Sequence, residues 1–388
     1  MTDVLDRDLL LLARTFVRRV EDIKNEFADR DQVLDVVALA TLCQEHALLI
    51  GPPGTAKTGL LQRYAAMLDT HCFQYLLTKF TEPAELFGPV DVKKFQEDGV
   101  YQVKTAGMLP ESKLAFLDEI FQGSSAILNS LLTIVNERVF HNGADFIRTD
   151  LLSIFGASNE MPDDPVLEAF CDRFLFRCRL DYVPEDAIEH MLALGWRGEQ
   201  AAASAATGRF PLEQLRTLQR AILGIDLDPV REPLTKLLYA FREEGIDFSD
   251  RRAVKSQKAI AASALLGGRA RASVEDLAPI VHMWGSPQDE VSIRRIIESQ
   301  GIPLDRTAAD VRDLPEITYD LRHLRLQLEQ VRSVEEHREV MRRLGALRHE
   351  TQTHYPHAAM ELAEIGRTQR EVMERLREQV TGEDVWNV

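Results

Sequence analysis

Cysteine and tryptophan are scarce in this chain, four and three residues of 388. Cys43, Cys72, Cys171 and Cys178 have neither the paired spacing of a zinc site nor the density of a disulfide scaffold, so reduced thiols are expected. Positive charge is short too: 46 Lys and Arg face 62 Asp and Glu, a formal net charge of -16. A phosphate backbone is held through Lys and Arg, so this deficit argues against nucleic acid as a partner. No apolar run is long enough to span a membrane. The run from Leu9 to Leu12 follows Asp3, Asp6 and Asp8, whereas a secretion signal needs a basic start and a longer apolar stretch. Cytoplasmic residence is the expectation. Low-complexity tracts and internal repeats are also missing. What is there, 45% hydrophobic and 28% charged, is an ordinary globular composition with room for two or three domains.

Leu5, Leu9, Leu12, Phe16 and Val20 recur at spacings of three and four, which predicts an opening amphipathic helix. A second helical stretch over residues 31–44 leads into Ala47-Leu48-Leu49-Ile50, a buried strand that ends at a glycine-rich turn. Apolar runs at 73–77, 114–117, 151–157 and 174–176 alternate with helical patterns. Such alternation implies a parallel sheet covered on both faces. After Pro184 only helices are expected, up to about Gln300, which would form an all-α lid. Gly301, Pro303 and Pro315 punctuate a linker. Three leucine-rich stripes beyond it (Leu321 to Val331, Val340 to Leu347, Leu362 to Leu376) predict a C-terminal helical bundle or hairpin. The expected organisation is therefore an α/β core over 1–183, a lid over 184–300, and a linker with a helical domain over 301–388.

Gly51-Pro52-Pro53-Gly54-Thr55-Ala56-Lys57-Thr58 sits between the first strand and a helix. A loop there can aim several backbone N–H groups at one point, and the helix dipole adds positive potential, which suits phosphate. Lys57 would reach the terminal phosphates and the Thr58 hydroxyl would ligate magnesium. Ala56 stands where such loops usually carry glycine, and it is tolerable if its φ stays negative. Leu114-Ala-Phe-Leu-Asp118-Glu119 is an apolar strand ending in two acids at the same sheet edge. Asp118 is suited to hold Mg2+ and Glu119 to polarise water. Asn159, after another strand, is a neutral amide suited to position that water. Arg173 precedes a strand; it could pair locally with Asp172 or act as an arginine finger on a neighbouring subunit's phosphate.

Together these blocks resemble the MoxR family of AAA+ ATPases, most closely its RavA branch, over residues 20–270. The likeness includes residues 78–89 and the stretch from Ala126 to Arg138. It implies an AAA+ parallel-sheet nucleotide-binding core with an all-α lid, an insertion over 87–108 and a hairpin over 138–149. It also implies ATP and Mg2+ as ligands, Asn159 as sensor 1 and Arg173 as finger. Either Arg251 or Arg252 would be the lid arginine on phosphate, Arg251 being preferred, and residues 29–33 would pack on adenine. The family implies a ring, usually a hexamer, acting on a client or co-chaperone, often one with a von Willebrand factor A domain. Three other readings stand beside the protein remodeller: a nucleotide-gated scaffold ring, a DNA translocase that the acidic balance disfavours, and, last, a small-molecule kinase. His349, His354 and His357 are expected to be surface histidines and Trp386 part of a frayed tail.

Overall fold

A four-residue strand, β1 (Ala47–Ile50), is buried at every position and lies near the middle of the sheet. A computed structural model describes residues 5–201, 208–304 and 358–383, with isolated positions between 317 and 355. The other sheet strands are β2 (Cys72–Leu76), β3 (Leu114–Asp118), β6 (Ser153–Ser158) and β7 (Phe176–Arg179). They form one parallel five-stranded sheet in the order β2-β3-β6-β1-β7. Because all strands run the same way, the segments leaving β1, β3 and β6 emerge at one edge, where ligands of open α/β sheets bind. Gly156 of β6 sits where a Cβ would come within 2.7 Å of Ile120 Cδ1, so any side chain there would require Ile120 to shift.

The helices that cover the sheet begin with α1 (Arg7–Lys24), α2 (Asp31–Cys43) and α3 (Lys57–Met67). They continue with α4 (Pro83–Phe87), α5 (Val92–Asp98), α6 (Ser125–Glu137) and α7 (Pro165–Cys171). A separate hairpin of β4 (Val139–Asn142) and β5 (Asp145–Arg148) follows α6. Helix α5 falls within the expected insertion, and the segment after it is bonded to the hairpin. Val103 N donates to Asn142 Oδ1 at 2.7 Å, and Asn142 Nδ2 donates back to Val103 O at 3.0 Å.

Beyond β7 come α8 (Ile188–Ala201), α9 (Leu212–Ile222), α10 (Asp228–Glu243), α11 (Asp250–Leu266) and α12 (Pro287–Ser299). Helix α11 packs against α1, α2 and α9. At the amino edge of the sheet, the buried Glu45 carboxylate accepts from Lys255 at 2.5 Å and Lys258 at 2.9 Å, both on α11. By contacts the chain divides into two compact units, residues 1–307 and residues 308–388. That second unit has its own apolar cluster, including Leu321, Leu324, Leu328, Val340, Leu344, Leu347, Ile365 and Val372. Its last helix is α13 (Ala359–Glu383). Pro315, Val331, His349, His354, His357 and Trp386 lie outside the described residues. Among the described residues, no helix is long and apolar enough to cross a membrane.

Candidate functional site

The loop from Gly51 to Ala56 joins β1 to the N-terminus of α3. Its first residue must be glycine on steric grounds, since a Cβ on Gly51 would lie 1.9 Å from Leu180 O. Gly51 N donates to Ser158 O at 2.9 Å, which ties the loop to the end of β6. Thr55 Oγ1 closes the turn on Pro52 O at 3.0 Å. Lys57 folds back over the loop, its Nζ donating to Gly51 O at 2.7 Å and Pro52 O at 3.0 Å. Burial lowers the Lys57 pKa, while Asp118 and Glu119 work against that. Pro53, Gly54 and Thr58 are exposed. Ala56 departs from expectation: its φ is +66°, in the left-handed region, as is that of Gly54 at +81°. The turn into α3 requires that geometry, so alanine here carries the cost, about 1–2 kcal/mol, that glycine would avoid.

Asp118 ends β3, and Glu119 follows at φ +50°. Glu119 N donates to Asp118 Oδ1 at 3.1 Å. Asn159, one residue past β6, donates its Nδ2 to Glu119 Oε1 at 3.1 Å. The structure thus brings Glu119 and Asn159 into direct contact beside the phosphate loop. The donor set suits a triphosphate with a hard cation. The exposed Thr58 hydroxyl and the Asp118 carboxylate could supply oxygen ligands to such a cation, and the N-terminus of α3 offers the positive potential that phosphate needs.

A cavity of about 810 Å³ opens against the loop. It is lined by Gly54, Thr55 and Ala56, by Tyr182 and Val183 after β7, by Met191 and Leu194 of α8, and by Asn25, Glu26, Phe27, Ala28 and Arg30. Of the expected adenine segment at 29–33, only Arg30 reaches this wall. Asp31 to Val33 already belong to α2, where Val33 is buried, and the turn before the helix lines the cavity instead. Arg63 of α3 clamps that turn through a two-pronged pair with Glu26, at 2.6 and 2.7 Å. Sequence reasoning placed Arg30 only inside the 29–33 segment and gave its side chain no role of its own. It is 5% exposed, and its Nε donates to Thr55 O at 3.1 Å.

Arg173 does not pair with Asp172; its Nη1 donates to Ala169 O at 2.6 Å. Asp172 instead accepts from Ser249 Oγ and from Arg252 Nη2, each at 3.0 Å. Ser249 also caps α11. Arg252 is buried and bonded to Asp247 O at 3.2 Å as well, whereas Arg251 stands 3.9 Å from Asp172 with its side chain 42% exposed. Of the two, Arg252 is committed to holding α11 and Arg251 is the freer cation.

The chain is similar to known proteins over its core and lid. Residues 14–220 match the family described as the MoxR domain in the MoxR-vWA-beta-propeller ternary systems, and residues 227–297 match an AAA lid domain. An uncharacterized protein of Methanocaldococcus jannaschii is 36% identical over 70% of this chain and 71% of its own length. Chaperone MoxR1 of Mycobacterium tuberculosis is 25% identical over 50% of this chain and 52% of its own. The crystal structure of a proposed ATPase from Cytophaga hutchinsonii superposes with a TM-score of 0.61 at 18% identity. It covers 75% of this chain and 95% of that one, a likeness of fold. With a MoxR-domain model that spans more than half of its 388 residues and an AAA lid model after it, this chain belongs to the MoxR family of AAA+ ATPases.

Proposed function

We propose that this protein hydrolyses ATP with Mg2+ as a head-to-tail ring, a hexamer, and uses the cycle to remodel or activate a client protein. The observation that carries this reading is the Asn159–Glu119 hydrogen bond beside the phosphate loop, because a carboxylate held by a neutral amide is a base kept in place for water. Lys57 would exchange the carbonyls of Gly51 and Pro52 for phosphate oxygens. Thr58 and Asp118 would hold Mg2+, which neutralises charge on the phosphate oxygens when bound. Glu119 would take the proton of the attacking water, and Asn159 would orient it.

Arg251 would reach the phosphate from the lid of the same subunit. Arg173 would serve the neighbour's site, which requires a closed head-to-tail assembly. The family description supports a partner carrying a von Willebrand factor A domain. Placement in the RavA branch rests on the resemblance over residues 20–270, which includes residues 78–89 and 126–138.

Changing Glu119 to Gln tests the reading. The variant should bind ATP as the wild type does, assemble with it, and lose turnover by at least two orders of magnitude, on the order of one general base. Unaltered hydrolysis in that variant would remove Glu119 from its role. Normal client activation by it would instead favour a ring in which nucleotide controls assembly and hydrolysis is incidental.

A further inference from the structure

We infer that Arg30 is the residue that makes the phosphate loop and the base-side cavity one binding unit, a positioning residue that sets nucleotide selectivity. This rests on the reading of the site as an ATP site. Arg30 precedes α2, and its partners are backbone carbonyls from three chain segments. Nε donates to Thr55 O at 3.1 Å in the phosphate loop, Nη2 to Asp181 O at 2.9 Å behind β7, and Nη1 to Asp29 O. All three segments border the cavity. A guanidinium can do this because it carries five donors in a rigid fork; an ammonium is a compact point charge without that geometry.

Two consequences follow from the geometry. The peptide unit is planar and trans, so fixing Thr55 O on Arg30 points the Ala56 N–H the opposite way. Arg30 thereby holds the one non-glycine residue of the loop that sits at positive φ. The second consequence is electrostatic. The nearest carboxylate, Asp29, is 53% exposed and 3.5 Å away, and the remaining partners are neutral carbonyls. Most of the Arg30 charge is therefore left for the site, close enough to be felt by Lys57. A cation clamped between the two halves of the site stabilises an anionic ligand and fixes where its base must lie.

The test uses the full-length chain and the variant Arg30→Lys, which keeps the charge and loses the fork. KM for ATP should rise about tenfold, the scale of one lost polar contact, with kcat within about twofold. The ratio of kcat/KM for ATP over GTP should fall. A wild-type KM, or equal losses for ATP and GTP, overturns the inference. A second measurement needs no variant and covers the case in which Arg30→Lys does not fold. Inorganic tripolyphosphate has no base, yet on wild-type protein it should slow amide exchange over residues 25–30 and 181–183 as well as over the phosphate loop. Protection confined to the loop overturns the coupling. If wild-type protein neither binds nor hydrolyses ATP, the ATP reading itself fails, which is a different result from wild-type turnover with an unchanged selectivity ratio.

Discussion

Asn159 donates its amide hydrogen to Glu119 Oε1 across 3.1 Å, linking the end of β6 to the end of β3. These two strands are neighbours in the sheet, so the register of Leu117 against Gly156 sets the distance between the two side chains. Replacing Asn159 by Asp would face one carboxylate with another. Like charges at that range raise the pKa of at least one of them. The acid limb of the pH profile of kcat/KM should then move to higher pH, because Glu119 must be ionised to accept a proton. A profile with an unmoved acid limb would show that the amide does not govern Glu119.

Asp172 separates the two lid arginines by what each has to lose. Arg252 is buried, and its pair with Asp172 at 3.0 Å is reinforced by Ser249. Arg252→Ala should lower unfolding stability by about 2–3 kcal/mol in urea titration, less than the ~3–5 kcal/mol of a fully buried pair because Asp172 is partly solvated. Arg251→Ala should change stability by less than about 0.5 kcal/mol, as for an exposed pair, while ATP turnover falls. Equal stability losses for the two would dissolve the distinction.

The parts of the fold that could be read from the sequence are those whose burial is continuous. Strands β1, β3 and β6 sit inside a parallel sheet with both faces covered, so Ala47–Ile50, Leu114–Leu117 and Ser153–Ala157 carry almost no polar side chains to obscure them. The last strand was harder. An apolar run at 174–176 marks it, yet β7 is Phe176–Arg179, with Arg177 buried under the Trp284 ring and donating to Cys171 O. A strand that reads Phe-Arg-Cys-Arg is disguised by its own charges. Arg30 was illegible for a different reason: its partners Thr55 and Asp181 are 25 and 151 positions away, and nothing local records such a contact. The sign of φ at Ala56 was equally hidden, since a residue type expresses only a preference.

The phosphate loop offers two substitutions with opposite outcomes. Gly51→Ala would drive a Cβ to 1.9 Å from a backbone oxygen, which only a shift of the segment after β7 could relieve. Loss of nucleotide binding and a large drop in stability are expected. Ala56→Gly runs the other way, removing a left-handed alanine at φ +66°. After the extra entropy of glycine in the unfolded chain, about 0.5–1 kcal/mol should be gained. Differential scanning calorimetry should record a small rise in Tm with ATP binding retained. A fall in Tm would mean that the left-handed geometry is not costly here.

His46 gives the fold a defined acid sensitivity. Its ring is 1% exposed; Nδ1 accepts the Ile154 N–H at 2.9 Å, so Nε2 carries the hydrogen and points at Val135 O, 3.2 Å away. Burial, with help from Arg138, Lys255 and Lys258, holds its pKa well below the ordinary 6.5. The folded state thus keeps His46 neutral while the unfolded chain protonates it. Its contribution is complete above pH 6.5 and is lost as pH falls, at about 1.4 kcal/mol per pH unit. His46→Gln can keep an acceptor and a donor but cannot titrate. That variant should be less stable at pH 8, yet its stability should fall less steeply as pH drops below 6.5. Urea titrations of both proteins at half-unit pH steps measure the two slopes directly, and parallel slopes would show that His46 is not the group responsible.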